Sequence, residues 1–365
     1  LKKDADRFSS AEIKLSVVNP NKVTPEGVSP NNYVTYAPYF HPKCDLPLAE
    51  AVTKCEWTRK DGDRNGELKK LSSDSSVLNK VCDQVRILSV ANFWFDDTKY
   101  ADRATALLKE FFLDNATAMA PNFDYSQIAP GPKASKGRSY GLIQSRCMAY
   151  MLTAATLLKQ NGTNQEVYDG MKNWVKEFVQ WMTTSEIGKG AISADNNHGT
   201  SATIQLASYY LFLEQPDQAK KAIESFMSGA FQKQIAKDGS QPKEINRADG
   251  IHYSLMNLSL LATLGYLGDL VGFDVWNQKT SAGATIADAV KYLSKYATGA
   301  ESWPKSTDQP KGFTHMLQIA AEKYGDPDGT YLEAIQKIGQ LPWADDNVAN
   351  LYADFSYGFN GTKKC

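Results

Sequence analysis

Two polar segments of the chain carry side chains that together could move protons next to a carboxylate. The first is Asp-Asn-Asn-His-Gly-Thr, with Asn197 and His198 at its centre, and the second contains Arg247 and, six positions later, Tyr253. Arginine offers a permanent charge and two parallel donors, and asparagine adds a neutral donor, so both can neutralise a carboxylate. Histidine and tyrosine can each give or take a proton. This set of residues suits the removal of a weakly acidic proton beside a carboxylate.

Each of these residues, taken alone, also fits a structural role. A histidine beside asparagine is more often a hydrogen-bonded structural residue than a catalyst, and the Asn-Asn pair could be a helix N-cap. An arginine near a tyrosine usually makes an ion pair beside a packed ring. The sequence has no Gly-x-Ser-x-Gly motif, no glycine-rich phosphate loop and no Cys/His/Asp cluster at metal-ligand spacing. We therefore expect neither a metal nor a cofactor.

A third polar segment runs from Pro121 to Tyr140 and contains Asn-Phe-Asp-Tyr-Ser-Gln-Ile-Ala-Pro-Gly. Its basic residues Lys133, Lys136 and Arg138 could line a cleft for a polyanion, although a solvated charge cluster is an equally good interpretation. Loops held by a rigid scaffold are where functional side chains concentrate. All three polar segments are therefore candidates for one site.

Helices are predicted to position these segments. From about residue 86 onward, apolar residues recur at i, i+3, i+4 and i+7, which is the spacing of one buried helix face. The clearest stripes lie in 104–112, 171–179, 219–227 and 286–293. Short clusters of Gly, Pro, Asn and Asp, such as Gly188–Gly190, are predicted to form the turns that separate them, and alternating strand patterns are scarce. The sequence thus predicts an all-α fold of antiparallel helix hairpins.

The domain organisation is predicted to be simple. No change of composition marks a linker, so we expect one domain over residues 1–365. Residues 1–85 show little periodicity and are predicted to wrap a helical body of residues 86–340, and residues 341–365 form a C-terminal tail.

Composition limits the classes of partner. The formal net charge is -1, which gives no global attraction to nucleic acid or to an anionic membrane. The longest apolar stretch, 258–276, is broken by glycines and an aspartate, so it is predicted to be a buried helix and not a membrane span. We expect a monomer with neither a nucleic-acid nor a membrane partner.

Cysteines and glycosylation sequons favour a secreted protein. Of the five cysteines, Cys44 and Cys55 flank a short loop rich in turn formers and are predicted to form a disulfide, with five free thiols as the alternative. Sequons begin at Asn115, Asn161, Asn257 and Asn360. Asn257 is discounted because it lies in an apolar helix. The polar start of the chain is interpreted as that of a mature protein without its targeting peptide.

Taken together, the polar segments resemble the alginate lyase domain family, which includes the mannuronate-specific lyases of polysaccharide lyase family five. The resemblance rests on Asn-Asn-His-Gly-Thr, on Gln-Pro-x-Glu-x-x-Arg followed by Tyr-Ser, and on the Asn-Phe-Asp-Tyr-Ser-Gln-Ile-Ala-Pro-Gly loop. The stretches 36–42 and 59–62 look like that family's N-terminal signature. These motifs keep the family's order over about residues 30 to 260. The resemblance implies a single (α/α) toroid, or incomplete barrel, with a long substrate cleft.

The resemblance also implies a function and residue roles. The chain would be a secreted polysaccharide lyase that cleaves a polyuronate by β-elimination. Asn197 and Arg247 would bind the uronate carboxylate, while His198 and Tyr253 would move the protons. The other residues expected to bind this anionic polysaccharide are Tyr39, Gln127, Arg138, Tyr140, Asn196 and His252.

The identity of the sugar stays open. The interval from Arg247 to Tyr253 is one residue shorter than in the mannuronate lyases, and Gly199 and Thr200 stand where those lyases have aromatic residues. Mannuronate and glucuronate carry the C5 proton and O4 on one face, so a single tyrosine could serve as base and acid. Guluronate carries them on opposite faces and would need His198 as the base. The sequence therefore predicts a mannuronan (alginate) or glucuronan lyase.

Two other functions remain open at this point. A glycoside hydrolase on an α/α barrel would use a pair of carboxylates, and Asp195, Asp238, Glu244 and Asp249 lie in or near the same segments. A carbohydrate-binding protein that has the fold without the activity is the other alternative. The Asn-His and Arg-to-Tyr sets favour elimination over both.

Overall fold

The structure is a computed structural model that describes residues 1–10, 14–160, 165–297, 301 and 313–339. The chain forms two compact units. The first contains Leu1–Ala191 and Ser208–Gln215, and the second contains Ile192–Ala207 and the described residues from Pro216 onward. Helices predominate in both, so the predicted all-α class is confirmed. The single domain remains a prediction, and the predicted tail, 341–365, lies outside the described residues.

The first unit consists mainly of helices that are consecutive in the chain. They are α1 (Lys2–Ser9), α2 (Leu48–Lys54), α3 (Asp74–Phe95), α4 (Thr98–Leu108), α5 (Arg146–Gln160), α6 (Gln165–Thr184) and α7 (Glu186–Ile192). Helix α3 packs against both α4 and α5, and a disulfide between Cys82 and Cys147 joins α3 to α5. Because α3 begins at Asp74, regular helix starts before the predicted boundary near residue 86.

The connection from α3 to α4 follows the expected capping chemistry. Asp96 ends α3 in the left-handed conformation with a φ of 52°. The Asp97 side chain accepts a hydrogen bond from the Lys99 backbone N–H at 3.1 Å, as an N-cap does. The apolar stripe predicted at 104–112 is largely buried, although α4 is followed by a π-helical turn over Lys109–Leu113.

Four short strands lie in the less regular part of the first unit. They are β1 (Val34–Tyr36), β2 (Phe40–Pro42), β3 (Trp57–Arg59) and β4 (Tyr125–Ile128). Strand β1 pairs in parallel with β4, and β2 pairs antiparallel with β3. A disulfide joins Cys44 to Cys55, which confirms the predicted pair. Residues of β1 and β4 form a small apolar cluster with residues of the neighbouring segments; its members are Val34, Tyr36, Val52, Leu68, Leu71 and Ile128.

A buried ion pair fixes the irregular N-terminal segment to α3. The Lys22 Nζ lies 3.0 Å from Asp74 Oδ2, and both side chains are almost fully buried. The same ammonium group donates to the backbone carbonyls of Val17 and Asn32 at 2.7 and 2.8 Å. A buried charge is tolerated when it is paired and hydrogen-bonded in this way.

The second unit contains the remaining helices. They are α8 (Asn197–Phe212), of which the residues from Ser208 belong to the first unit, α9 (Pro216–Ser228), α10 (Pro242–Ile245), α11 (Gly250–Leu270), α12 (Ile286–Ala297), α13 (Phe313–Tyr324) and α14 (Thr330–Gly339). Helix α11 contacts α9, α12 and α13. A Cβ at Gly265 would overlap the Trp276 ring, so glycine lets that ring lie directly against α11. No helix in the described ranges is long and apolar enough to span a membrane.

Candidate active site

The polar segment around His198 had suggested a loop, but His198 lies in the first turn of α8. The Asn196 side chain accepts a hydrogen bond from the His198 backbone N–H at 3.1 Å, and the Asn196 carbonyl accepts from Gly199 at 2.9 Å. Asn196 therefore caps the helix. A Cβ at Gly199 would overlap the carbonyl of Ala194, so glycine allows the preceding chain to approach the helix closely. A role for Asn196 in substrate binding stays a prediction.

Asn197 is held by a buried glutamate. Its backbone N–H donates to Glu244 Oε1 and its side-chain Nδ2 donates to Glu244 Oε2, each at 2.7 Å. Both residues are only 1% exposed. Burial raises the pKa of the Glu244 carboxyl, and the two Asn197 donors and the nearby Arg247 charge oppose that rise. The pair fixes which way the Asn197 amide points, because only its NH₂ group can face a carboxylate.

Arg247 and Tyr253 form the next contact of the site. The guanidinium carbon of Arg247 lies 4.0 Å from the centre of the Tyr253 ring, which is close enough for a cation–π interaction. Tyr253 is in the first turn of α11, where its N–H donates to the carbonyl of Asp249 at 3.2 Å. The His252 ring meets the Tyr253 ring edge-on, with the ring centres 5.2 Å apart.

The second unit thus brings together the four residues for which catalytic roles were predicted. The Arg247 backbone N–H donates to the carbonyl of Glu244 at 3.0 Å, so one short segment supports both Asn197 and the cation beside Tyr253. His198 is the neighbour of Asn197 in the same helical turn. His198, Arg247 and Tyr253 are half-buried, so they are ordered by packing and still reachable from solvent.

A second group of predicted residues lies in the first unit, where Arg138 is central. Its Nε donates to the Gln127 backbone carbonyl at 3.0 Å and its terminal nitrogen donates to Gln127 Oε1 at 3.3 Å. The guanidinium carbon lies 5.6 Å from the centre of the Tyr140 ring and 5.5 Å from that of Phe40. Tyr140 is 47% exposed, and Tyr39 is half-buried.

The charge on Arg138 lies in an unfavourable setting. Burial and the neighbouring Arg59 charge both lower the pKa of Arg138, although an arginine stays protonated at physiological pH. Its partner Gln127 has a φ of 49°, a left-handed conformation that is uncommon for a residue other than glycine. Strained backbone of this kind collects at ligand sites. An anion beside Arg138 would relieve the repulsion between the two arginines.

Three of the four carboxylates considered for a hydrolase have other partners in the structure. Glu244 is buried against Asn197. Asp238 accepts from the backbone N–H and hydroxyl of Ser240 at 3.0 and 2.7 Å, which makes it part of a turn. Asp195 lies 3.7 Å from the ammonium group of Lys243. None of these contacts is the free acid–base pair of a glycosidase.

A metal site is a separate question. No group of three or more His, Cys, Asp or Glu side chains within the described residues could hold a metal ion. That the reaction needs neither a metal nor a cofactor stays a prediction.

Comparison with known proteins shows the family of the chain. A sequence model of the family described as alginate lyase matches residues 16–303, which is more than half of the chain. The chain belongs to the alginate lyase family. It is therefore a polysaccharide lyase, and the family resemblance found in its motifs over about residues 30 to 260 is confirmed over a longer stretch. No curated protein sequence matches the chain.

Solved structures support the same family fold. An alginate lyase from Bacteroides ovatus is 29% identical to this chain, with a TM-score of 0.83. The match covers 96% of this chain and 90% of the B. ovatus chain. An alginate lyase A1-III variant complexed with a tetrasaccharide is 14% identical, with a TM-score of 0.57 and coverage of 89% and 84%. Alginate lyase A1-III from Sphingomonas species A1 is 12% identical, with a TM-score of 0.52 and coverage of 90% and 88%. The helical toroid predicted from the family agrees with these folds.

Sequence reasoning missed the partner of Asn197. It proposed Glu244 only as a hydrolase carboxylate, because nothing local links it to a residue 47 positions earlier. The one available signal was that Glu244 lies three positions before Arg247, which places both residues on one side of a short helical turn.

The disulfide between Cys82 and Cys147 was also missed, because 65 positions separate the two cysteines in the sequence.

Proposed function

We propose that this lyase cleaves a polyuronate of the mannuronan (alginate) or glucuronan type by β-elimination, with Tyr253 as its central proton-transfer group. The observation that carries the proposal is the Arg247 guanidinium 4.0 Å from the centre of the Tyr253 ring. A cation beside a tyrosine favours its phenolate form. A phenolate can take a proton, and the resulting phenol can return one. Support also comes from family membership and from the B. ovatus relative, whose name is alginate lyase.

The reaction needs one proton to leave C5 and another to reach O4. In the proposed step, Tyr253 takes the C5 proton, the C–H electrons form the C4=C5 double bond, and the C4–O4 bond breaks. The departing O4 then takes a proton from the same hydroxyl. This sequence balances without an oxidant or a co-reactant, and it leaves an unsaturated uronate at the new non-reducing end. On a guluronate residue, His198 would take the C5 proton from the opposite face.

The negative charge that builds up on the C5 carboxylate must be neutralised. Arg247 brings a permanent charge, and the second Nδ2 hydrogen of Asn197 is a neutral donor, since the first faces Glu244. Glu244 would hold Asn197 in that orientation. Fixed donors aimed at developing charge are often the largest single contribution to catalysis.

Substrate binding in the first unit is assigned to the group around Arg138. Its half-buried charge, flanked by Phe40 and the exposed Tyr140, suits an acidic sugar, because arginine binds carboxylates and aromatic rings pack on sugar faces. Gln127 and Tyr39 of the first unit, and His252 of the second unit, are proposed as further contacts to a chain of sugars.

The experiment that tests this function is incubation with separate mannuronan, guluronan, glucuronan and neutral polysaccharide samples, with and without EDTA. The expected result is a rise in ultraviolet absorbance from the unsaturated product on mannuronan or glucuronan, unchanged by EDTA. New reducing ends without absorbance would mark a hydrolase. Binding without either signal would mark a carbohydrate-binding protein. Loss of turnover in EDTA that a divalent ion restores would overturn the prediction of a metal-free reaction.

We infer that the enzyme works outside the cell; that it is a monomer stays a prediction. The support is the pair of disulfides, Cys44–Cys55 and Cys82–Cys147, since disulfides persist in oxidising compartments. Asn115 is exposed and could carry a glycan, whereas Asn257 is fully buried; the Asn161 and Asn360 sequons lie outside the described residues. Mass spectrometry of the native protein should find both disulfides, and free thiols at these four cysteines would contradict the inference.

A further inference from the structure

A buried amide stands out in the otherwise apolar helix α11. Asn257 is fully buried, and a buried amide is costly unless it is hydrogen-bonded. Its Oδ1 accepts from the Thr200 hydroxyl at 2.8 Å, and its Nδ2 donates to Gln234 Oε1 at 3.0 Å and Gln241 Oε1 at 2.8 Å. Both hydrogens and the oxygen of the amide are therefore used, which fixes its orientation.

The two glutamines extend this cluster to both sides of the site. Gln234 Nε2 donates to the backbone carbonyl of Asn196 at 3.2 Å, the residue that caps α8 just before Asn197 and His198. Gln241 Nε2 donates to the backbone carbonyl of Ser254 at 3.0 Å, the residue after Tyr253. A chain of hydrogen bonds therefore runs from beside His198 to beside Tyr253, with Asn257 at its centre.

The members of this chain are shielded from water. Thr200, Gln234, Gln241 and Asn257 are each at most 2% exposed. In such surroundings hydrogen bonds are stronger than in water, and a fully satisfied network makes the backbone around it rigid. The network would hold His198 and Tyr253 in place. Both lie in the first turn of a helix, where the helix is least constrained by its own hydrogen bonds.

We propose that Asn257 is a positioning residue that fixes the Tyr253 hydroxyl relative to the His198 ring and Asn197 amide. This inference rests on the proposed function of Tyr253. Asn257 touches no substrate; it acts by keeping the starts of α8 and α11 in register. A misplacement of 1 Å at a reacting group costs about 10²-fold in rate. Loss of the amide should therefore lower turnover much more than it weakens substrate binding.

The test is Asn257→Leu, which keeps the approximate volume and removes the hydrogen bonds. On the substrate that the wild type cleaves best, kcat should fall by about 10- to 100-fold while KM changes by less than about threefold. Thr263→Val is the matched control. Thr263 is in the same helix and 1% exposed, and its hydroxyl bonds the Ser259 carbonyl within that helix. It should lose stability and keep wild-type kcat.

A double-mutant cycle separates positioning from simple stability. In a Tyr253→Phe background, Asn257→Leu should lower the residual rate no further, because the hydroxyl that Asn257 positions is absent. The decrease in melting temperature caused by Asn257→Leu should still be seen in that background. Unchanged kcat in folded Asn257→Leu would overturn the proposal. So would an equal fold-loss with and without the Tyr253 hydroxyl.

A second variant guards against failure to fold. Gln234→Met removes the link from Asn257 to Asn196 with a side chain of similar shape, and the same cycle applies to it, with the same result expected. The ultraviolet absorbance that the wild-type enzyme produces on the polyuronate samples tests the proposed function. The ratio of the variant's kcat to the wild-type kcat tests the role of Asn257. The two ideas can therefore fail separately.

Discussion

The polar groups of the two units are organised in opposite ways. In the second unit, Asn197 is hydrogen-bonded to Glu244, Asn257 is hydrogen-bonded to Gln241, and all four residues are buried. In the first unit, Arg138 is half-buried between aromatic rings and next to a second arginine. A buried hydrogen-bonded network holds geometry, whereas a solvent-accessible excess of positive charge attracts an anion. Under the proposed function, the second unit would carry the chemistry and the first unit would contribute to recognition of a polyanion.

The largest effect should come from Tyr253→Phe, which keeps the ring over which Arg247 lies and removes only the hydroxyl. Turnover should fall by about 10²–10⁴-fold, the usual cost of losing a general acid–base group, with substrate still bound. Steady-state absorbance gives kcat, and calorimetry with an oligomeric substrate gives affinity. A well-folded variant with full activity would show that Tyr253 has no part in the mechanism. The assignment of the chemistry to the second unit would then lose its main support.

Arg247→Lys should have the next largest effect. Lysine keeps the charge and loses the planar fork, so it cannot present parallel donors to a carboxylate or lie flat on the Tyr253 ring. We expect kcat/KM to fall by about 10²-fold, as when one donor to a developing charge is lost, with KM also raised. Lys243→Gln is the matched control, because Lys243 is exposed on the same segment, and it should keep wild-type kcat. Wild-type kcat/KM in Arg247→Lys would mean that the charge at this position suffices and that the planar fork is not needed.

Glu244→Gln tests whether the buried network holds geometry. A glutamine cannot accept from both the backbone and side-chain donors of Asn197, so one donor would be left facing another. We expect kcat to fall by about 10-fold or more, with a lower melting temperature.

The companion variant for this test reverses the pair. In Glu244→Gln with Asn197→Asp, the glutamine can accept from the backbone N–H and donate to the new carboxylate. This should restore the melting temperature and leave turnover low, because an aspartate cannot donate to the substrate carboxylate. If activity recovers together with stability, Glu244 and Asn197 are structural only.

The sequence predicted the helices well because apolar periodicity is a local signal. The stripes at 171–179, 219–227 and 286–293 fall within α6, α9 and α12. The start of α8 was missed because His198 to Thr200 are polar or small and carry no stripe, although the Asn-Asn pair was noted as a possible cap. The cluster Gly188–Gly190 was assigned to a turn and lies inside α7 instead. A Cβ at Gly188 would overlap the Met182 backbone, so close packing and not a turn explains this glycine.

The candidate site was predictable only in its parts. Residue types and family motifs pointed to Asn197, His198, Arg247 and Tyr253, and the structure brings them into one unit. The bonds that hold them depend on long-range contacts, such as Asn257 with Thr200, 57 positions apart. Residue type and local spacing carry no information about such pairs, so a buried asparagine in an apolar helix could be recognised only as a poor glycosylation site.

The smallest effect should come from the first unit, and it should differ in kind. Arg138→Gln removes the charge beside Phe40 and Tyr140 in the first unit. If Arg138 binds a uronate carboxylate in both ground and transition states, its loss raises KM and leaves kcat unchanged. At low ionic strength KM should rise by about tenfold, which is the lower end of the range for one hydrogen bond to a charged group. Because salt screens charges, the difference in KM between the variant and the wild type should become smaller as ionic strength rises.

Lys176→Gln is the matched control for Arg138→Gln, because it removes the same charge from an exposed site on α6. It should leave KM within about twofold of the wild-type value, since an isolated surface charge contributes little. A fall in kcat with unchanged KM would assign Arg138 to the chemistry instead, and the contrast between the two units would no longer hold.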